Sequence, residues 1–116
     1  VWASYQRDLK DLKAEVESIR RGSLDPIALS LWNYDDAQLR LQLDGILQRP
    51  YVASVEVREQ GADGALRARV GTGPVAGSTI ERLPLSYRRN GERVELGTLK
   101  IELDVLAVRQ SAQKRA

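Results

Sequence analysis

The 116-residue chain contains no histidine and no cysteine. Without them, imidazole general-base chemistry, thiol nucleophiles, the usual zinc sites and histidine-ligated haem are excluded. Disulfide bonds are excluded as well, but a chain without cysteine suits an oxidising periplasm and a reducing cytosol equally, so the compartment stays open. We therefore predict no catalytic residue, no metal site and no cofactor in this chain.

The sequence also lacks any apolar run that approaches the roughly 20 residues of a membrane-spanning helix. Hydrophobic residues make up 42% and charged residues 29% of the chain, and the mean hydropathy is −0.39, which is typical of a folded globular protein. The length predicts a single domain over residues 1–116. Because methionine is absent and Val1 opens inside a helical pattern, we interpret the chain as part of a longer protein whose membrane segments lie outside it.

An excess of charge of one sign is missing too. The chain has 18 lysine and arginine residues and 16 aspartate and glutamate residues, for a formal net charge of +2. The basic residues are spread along the chain with acidic residues among them, whereas a phosphate-binding surface needs them concentrated. We predict no nucleic-acid partner.

Residues 1–21 have the apolar spacing of an amphipathic helix, with alternating gaps of three and four residues. The repeated residues are Trp2, Tyr5, Leu9, Leu12, Val16 and Ile19. With these residues at heptad positions a and d, two pairs fall at the flanking g and e positions: Asp8 with Lys13, and Glu15 with Arg20. Each pair is of opposite charge, which favours a parallel homodimer. Two interpretations remain open: a membrane-proximal dimerisation helix, or a helix packed on its own domain.

Residues 25–49 are predicted to form one or two further helices. Asp25 and Pro26 have the residue types of an N-cap and first helical position. Asn33, Asp35 and Asp36 predict a break in the helical stretch, because these residues favour caps over helix interiors. The adjacent carboxylates of Asp35 and Asp36 are therefore interpreted as capping groups rather than as an acid–base pair.

From Tyr51 the apolar period changes from helical to alternating, which predicts an antiparallel sheet over residues 51–106. Asn90-Gly91 predicts a tight type I′ hairpin, since both central residues of that turn need positive φ. Pro84 predicts an edge strand or a bulge. The inward parity changes at Gly97-Thr98, which predicts a glycine bulge. Residues 107–116 are predicted to be an exit segment.

Two groups of side chains are candidates for binding a ligand. Arg58, Arg67 and Arg69 could converge on a small anion by bidentate hydrogen bonding, or could lie on a solvated sheet face. The aromatic residues could line a cavity, or could belong to the core. These aromatic residues are Trp32, Tyr34, Tyr51 and Tyr87. The glycine-rich stretch from Gly71 to Gly77 does not have phosphate-loop spacing and is interpreted as a connecting loop.

Three stretches together carry a family resemblance: Leu31–Asp35 (LWNYD), Pro50–Val57 (PYVASVEV) and Glu95–Ile101 (ELGTLKI). They resemble the PAS-like extracytoplasmic sensor domains, of Cache and CHASE type, of bacterial transmembrane histidine kinases and diguanylate cyclases. The resemblance implies an α+β fold, with a long N-terminal helix and one or two further helices on one face of a four- to five-stranded antiparallel PAS-like sheet.

The same resemblance implies a function. The chain would be the periplasmic, signal-sensing portion of an inner-membrane receptor, without catalysis of its own, and would transmit a stimulus through a dimeric helix. Its expected partners are a second copy of itself and a small anionic ligand or periplasmic protein, with the membrane reached only through flanking segments. The alternative is a protein-interaction and dimerisation module without a small-molecule pocket.

Overall fold

The computed structural model describes residues 2–61 and 63–104 as three helices followed by a four-stranded antiparallel sheet. The elements are α1 (Trp2–Gly22), α2 (Leu24–Trp32), α3 (Asp36–Leu47), β1 (Val52–Glu59), β2 (Leu66–Gly71), β3 (Thr79–Arg89) and β4 (Glu92–Leu103). This confirms the predicted α+β class, with four strands. Within the described part of the chain, no helix is long and apolar enough to cross a membrane. The predicted exit segment at 107–116 lies outside the described residues.

The strand order in the sheet is β2-β1-β4-β3, with every neighbouring pair antiparallel. Two hairpins, β1–β2 and β3–β4, are thus joined edge to edge through β1 and β4. The strand that contains Pro84 lies at the edge, as predicted, because a residue without an N–H cannot serve two neighbouring ladders. The final strand, β4, lies in the interior of the sheet, with a hydrogen-bonded neighbour on each side.

The hydrophobic core lies between the three helices and one face of the sheet. Ile19 of α1, Leu39 and Leu43 of α3, Val55 of β1 and Leu99 of β4 are all 0% exposed. Burial of a side chain of this size stabilises a fold by about 1.5–3 kcal/mol. The other face of the sheet has no helix against it within the described residues, and we call it the open face.

Three of the predicted heptad residues of the first helix belong to the core of the domain. Leu12, Val16 and Ile19 are buried in the core of the same chain, and Leu9 packs partly against it. This is the arrangement expected of a helix packed on its own domain. The side chains of Trp2 and Tyr5 lie outside the described part, and pairing of α1 with a second copy stays a prediction.

The start of α2 differs from the prediction. Ser23, not Asp25, occupies the N-cap position, and Asp25 lies in the first turn. Ser23 keeps near-helical dihedral angles, with φ −108° and ψ −23°, and its N–H still donates to Ile19 O at 2.9 Å. Helical hydrogen bonding continues past Gly22, so α2 begins at Leu24, two residues before the predicted start at Pro26. Pro26 then falls in the first turn, where its missing N–H is not needed.

The break between α2 and α3 lies where the sequence predicts it. Asp35 is the N-cap of α3, and its Oδ1 accepts a hydrogen bond from Gln38 N at 3.1 Å. The predicted hairpin turn is also confirmed, with φ of 53° at Asn90 and 82° at Gly91.

We expect Asp35→Ala to lower the free energy of unfolding by about 1 kcal/mol, because the mutation removes the only side-chain acceptor shown for the first turn of α3. Urea denaturation followed by circular dichroism would measure the change. Asp44→Ala, an exposed aspartate on the same helix, is the matched control and should stay within about 0.5 kcal/mol of the wild type. Equal effects of the two mutations would contradict the capping role.

The predicted bulge in β4 is present and is displaced by one residue. Leu85 pairs with Gly97 while Ser86 pairs with Glu95, so Leu96 is the additional residue. On its other side, Gly97 lies against the backbone of β1, where a Cβ atom would overlap the carbonyl oxygen of Arg58. The close approach of these two strands explains why the position is a glycine.

Candidate functional site

A cleft of about 390 Å³ opens where the α2–α3 junction meets the ends of β1, β2 and β4, and we call it the junction cleft. It is lined by Leu31, Trp32, Tyr34, Glu59, Gln60, Arg67, Glu95 and Leu96. Three of the predicted ligand-binding residues, Trp32, Tyr34 and Arg67, are thus brought together here. The cleft combines aromatic surface with charged groups of both signs, a composition found in small-molecule sites.

Arg67 reaches the cleft because of a second bulge that the sequence did not predict. Val57 pairs with Ala68 while Arg58 pairs with Leu66, so Arg67 is the additional residue of β2. Its guanidinium binds Asp36 Oδ1 at 2.6 Å and Glu59 Oε1 at 2.8 Å. Arg67 therefore connects the start of α3 to the sheet, and its side chain is only 14% exposed.

Electrostatics at Arg67 follow from these contacts. The hydrogen bond to Asp36 is the main cause that raises the pKa of Arg67 above its ordinary value; burial opposes it, and Glu59 adds to it. The guanidinium stays charged at any physiological pH. Since two carboxylates already neutralise its positive charge, Arg67 is a poor anchor for a further anion.

Tyr34 has an unusual backbone and an unusual exposure. Its φ is 55°, a value that non-glycine residues adopt at a cost, and its side chain is 76% exposed. Hydrogen bonds from Tyr34 N to Leu31 O and from Asp35 N to Ser30 O hold the junction in this shape. The ring lies 5.0 Å from the guanidinium carbon of Arg67, within cation–π range.

Trp32 and Tyr87 attach α2 to the edge strand β3. Their rings are stacked, with centroids 4.7 Å apart and 16° between planes, and the guanidinium of Arg89 lies 5.8 Å from the Trp32 ring centroid. Such a pair contributes about 0.5–1.5 kcal/mol beyond the area it buries. Both aromatic residues are half-buried, so one face of the cleft is built on a fixed platform.

The remaining candidates lie elsewhere. Arg58 and Arg69 both bind Glu56, with Arg58 Nε at 2.6 Å from Oε2 and Arg69 Nε at 3.5 Å from Oε1. The bulge places Arg67 on the helix side, so the predicted convergence of three arginines on one point does not occur. Tyr51 begins the strand region with φ 70°, and its carbonyl accepts a hydrogen bond from Asp104 N at 2.8 Å. It is not part of the junction cleft.

Sequence reasoning missed a buried carboxylate on the open face, Glu102, which is 4% exposed. Its Oε2 accepts hydrogen bonds from Val75 N at 2.8 Å and Ser78 Oγ at 2.7 Å, and its Oε1 accepts one from Ser54 Oγ at 3.1 Å. Glu102 thereby ties the β2–β3 loop to β4. The alternating pattern of β4 places Glu102 on the face predicted to be exposed to solvent. It is buried because the β2–β3 loop folds over it.

Two comparisons with known proteins match this chain to signalling proteins. Residues 4–112 match the CHASE5 family, described as a periplasmic sensor domain found in signal transduction proteins. The chain is 38% identical over 105 residues to the sensor histidine kinase AruS of Pseudomonas aeruginosa. This alignment covers 90% of the chain and 10% of AruS, so the chain spans about a tenth of the length of that relative.

Proposed function

This chain belongs to the CHASE5 family of periplasmic sensor domains, and we propose that it is the signal-sensing part of an inner-membrane histidine kinase. The observation that supports this proposal most strongly is the family match over residues 4–112. The resemblance to sensor domains allowed either a histidine kinase or a diguanylate cyclase as the catalytic part of the protein. The relative is a sensor histidine kinase, which favours a kinase. The family is one of sensors, so catalysis belongs to other parts of such proteins.

The junction cleft is our proposed site for one class of stimulus. It is bounded by the α2–α3 junction on one side and by β4, through Glu95 and Leu96, on the other. A ligand bound there would contact both the helical layer and a central strand. Binding changes the balance between two conformations only if the ligand contacts them unequally, and a cleft between two layers meets that condition.

Transmission is proposed to occur where α1 meets the end of β4. Leu12 and Val16 of α1 line one groove together with Glu81 of β3 and Leu103 of β4. The first helix and the end of β4 are therefore neighbours. A ligand-induced movement of the sheet relative to α1 changes their relative position, which is the quantity a connected membrane helix pair would transmit.

A chimera tests this proposal. In AruS, the segment that aligns with this chain is replaced by the chain itself, and autophosphorylation is measured in membrane vesicles. Glu17→Cys and Glu81→Cys, on the two walls of the groove, are joined with short and long bifunctional linkers. The chain has no cysteine of its own, so only cysteines in the AruS part would have to be replaced. We expect the two linker lengths to give kinase activities that differ at least threefold.

The control pair is Arg88→Cys and Arg93→Cys, which lie opposite each other in the β3–β4 hairpin. Joining them fixes two strands that already move together, so kinase activity should stay unchanged. If the groove pair also leaves activity unchanged at both linker lengths, the proposed transmission through α1 and β4 is wrong.

A second candidate function is a protein-interaction and dimerisation module. It is favoured by the filled layer between helices and sheet, where Leu39, Leu43, Val55 and Leu99 leave no exposure. Since Leu12, Val16 and Ile19 serve the core, we propose that any pairing of α1 with a second copy uses its N-terminal part, Trp2, Tyr5 and Leu9. Leucine-zipper fusions upstream in different heptad registers discriminate: sedimentation should show stronger dimers in one register only.

A further inference from the structure

The open face of the sheet carries more cations than carboxylates. One row of directly opposed residues crosses all four strands: Arg69 on β2, Glu56 on β1, Lys100 on β4 and Arg82 on β3. Residues opposite each other in neighbouring strands share a face, so three cations and one carboxylate lie side by side. Arg58 adds a further positive charge near Glu56.

The carboxylates of this face are already engaged. Glu56 binds Arg58 and Arg69, and Glu102 accepts its three hydrogen bonds from Ser54 and the β2–β3 loop. The side chain of Lys100, by contrast, forms no hydrogen bond or ion pair with any residue in 2–61 or 63–104, and the residue is half-buried. Because Lys100 lines the cavity described next, its unpaired ammonium group is available to attract an anion that enters there.

A cavity of about 250 Å³ lies at this place, between the sheet and the β2–β3 loop. It is lined by Ser54, Glu56, Arg69, Pro74, Ile80, Lys100 and Glu102. Arg69 binds Glu56 through Nε, and its charge also helps to lower the pKa of Glu102. No described residue accepts a hydrogen bond from its terminal nitrogens, which are the donors that bind oxyanions in bidentate geometry. The two cations come from β2 and β4, with β1 between them.

We propose that this cavity binds a small oxyanion, a carboxylate or a phosphate, with Lys100 and Arg69 as the cationic donors. The inference deepens the proposed sensing function by naming a ligand class and a site distinct from the junction cleft. An anion here connects β2 to β4 beneath the loop that Glu102 holds. Lys100 lies three residues before the end of β4, so the ligand acts on the strand whose Leu103 borders the groove against α1.

Isothermal titration calorimetry of the chain at fixed ionic strength tests the site, with inorganic phosphate and succinate as separate probes. Saturable heat with one probe and not the other identifies the source of the oxyanion. Lys100→Gln should weaken binding at least tenfold and, since the Lys100 side chain has no partner among the described residues, should leave the melting temperature unchanged. Arg69→Gln should weaken binding too.

Arg40→Gln, which removes one exposed positive charge on α3, is the matched control and should bind like the wild type. If Lys100→Gln and Arg40→Gln weaken binding equally, attraction is nonspecific and the proposal is wrong. Heat with neither probe also overturns it. That failure is separate from failure of the sensing function: a chimera whose kinase responds to groove linkers while the chain binds no anion rejects only the site.

Discussion

Gly97→Ala is expected to lower the free energy of unfolding by more than about 3 kcal/mol, although it adds only a single methyl group. The new Cβ would overlap the carbonyl oxygen of Arg58 and would lie 3.1 Å from its carbonyl carbon and 3.2 Å from Glu59 Cα. All three are backbone atoms of β1, which cannot rotate away as a side chain can. Relief therefore requires β1 and β4 to separate where they pair.

Gly45→Ala is the control, because it adds the same methyl group where nothing lies within 4 Å. Gly45 is inside α3, so alanine should stabilise the domain by about 0.5–1 kcal/mol through helix propensity. Urea denaturation of both variants should thus give shifts of opposite sign. A Gly97→Ala variant as stable as the wild type would show that β1 and β4 do not approach this closely at the bulge.

Glu102→Ala is expected to lower the free energy of unfolding by about 3 kcal/mol. The mutation leaves Ser54 Oγ, Val75 N and Ser78 Oγ without their acceptor beneath the β2–β3 loop. Glu102→Gln, which keeps the shape and removes the charge, should lose about half as much. Glu92→Gln, an exposed glutamate on the same strand, should change stability by less than about 0.5 kcal/mol.

The contribution of Glu102 to the free energy of unfolding should depend on pH. The hydrogen bond from Val75 N, followed by that from Ser78, holds the pKa of the Glu102 carboxyl below its ordinary value of 4.5, against the opposing effect of burial. A lowered folded-state pKa contributes stability above the unfolded value, and the contribution is lost as pH falls through the folded value. The stability difference between wild type and Glu102→Gln should therefore be constant from pH 7 to about pH 5 and shrink below it.

Chemical denaturation of both proteins between pH 7 and pH 3 measures this difference. Increased proteolysis of the β2–β3 loop in Glu102→Ala at neutral pH would identify the loop as the part that loosens. A stability difference between wild type and Glu102→Gln that does not change with pH would contradict the charged state of Glu102 in the folded domain.

The parts of this fold that the sequence predicts are those set by neighbouring residues. Asp35 and Asn90-Gly91 act through their own backbone conformations, so the helix break and the hairpin turn could be placed in advance. The parity change near Gly97 was visible for the same reason, although the bulge residue itself is Leu96.

What the sequence could not predict depends on distant pairing. The bulge that turns Arg67 toward Asp36 is defined by the register between β1 and β2, and periodicity along one strand cannot show it. The burial of Glu102 depends on where the β2–β3 loop folds. The start of α2 at Leu24 was missed because Asp-Pro is a stronger local signal than Ser23, while the continuous path from α1 determined the outcome.

The central position of β4 has a mechanical consequence. A strand hydrogen-bonded along both edges, to β1 and to β3, is loaded in shear when it is pulled along its axis, so all of its ladder bonds resist together. Such a strand does not peel away or slide by itself; it moves only with the whole sheet. The compliant contact is then the apolar one between α1 and the sheet, where side chains can shift without breaking backbone hydrogen bonds. We expect force applied at either end of the domain to be taken up by sliding of α1 across the sheet rather than by deformation of the sheet.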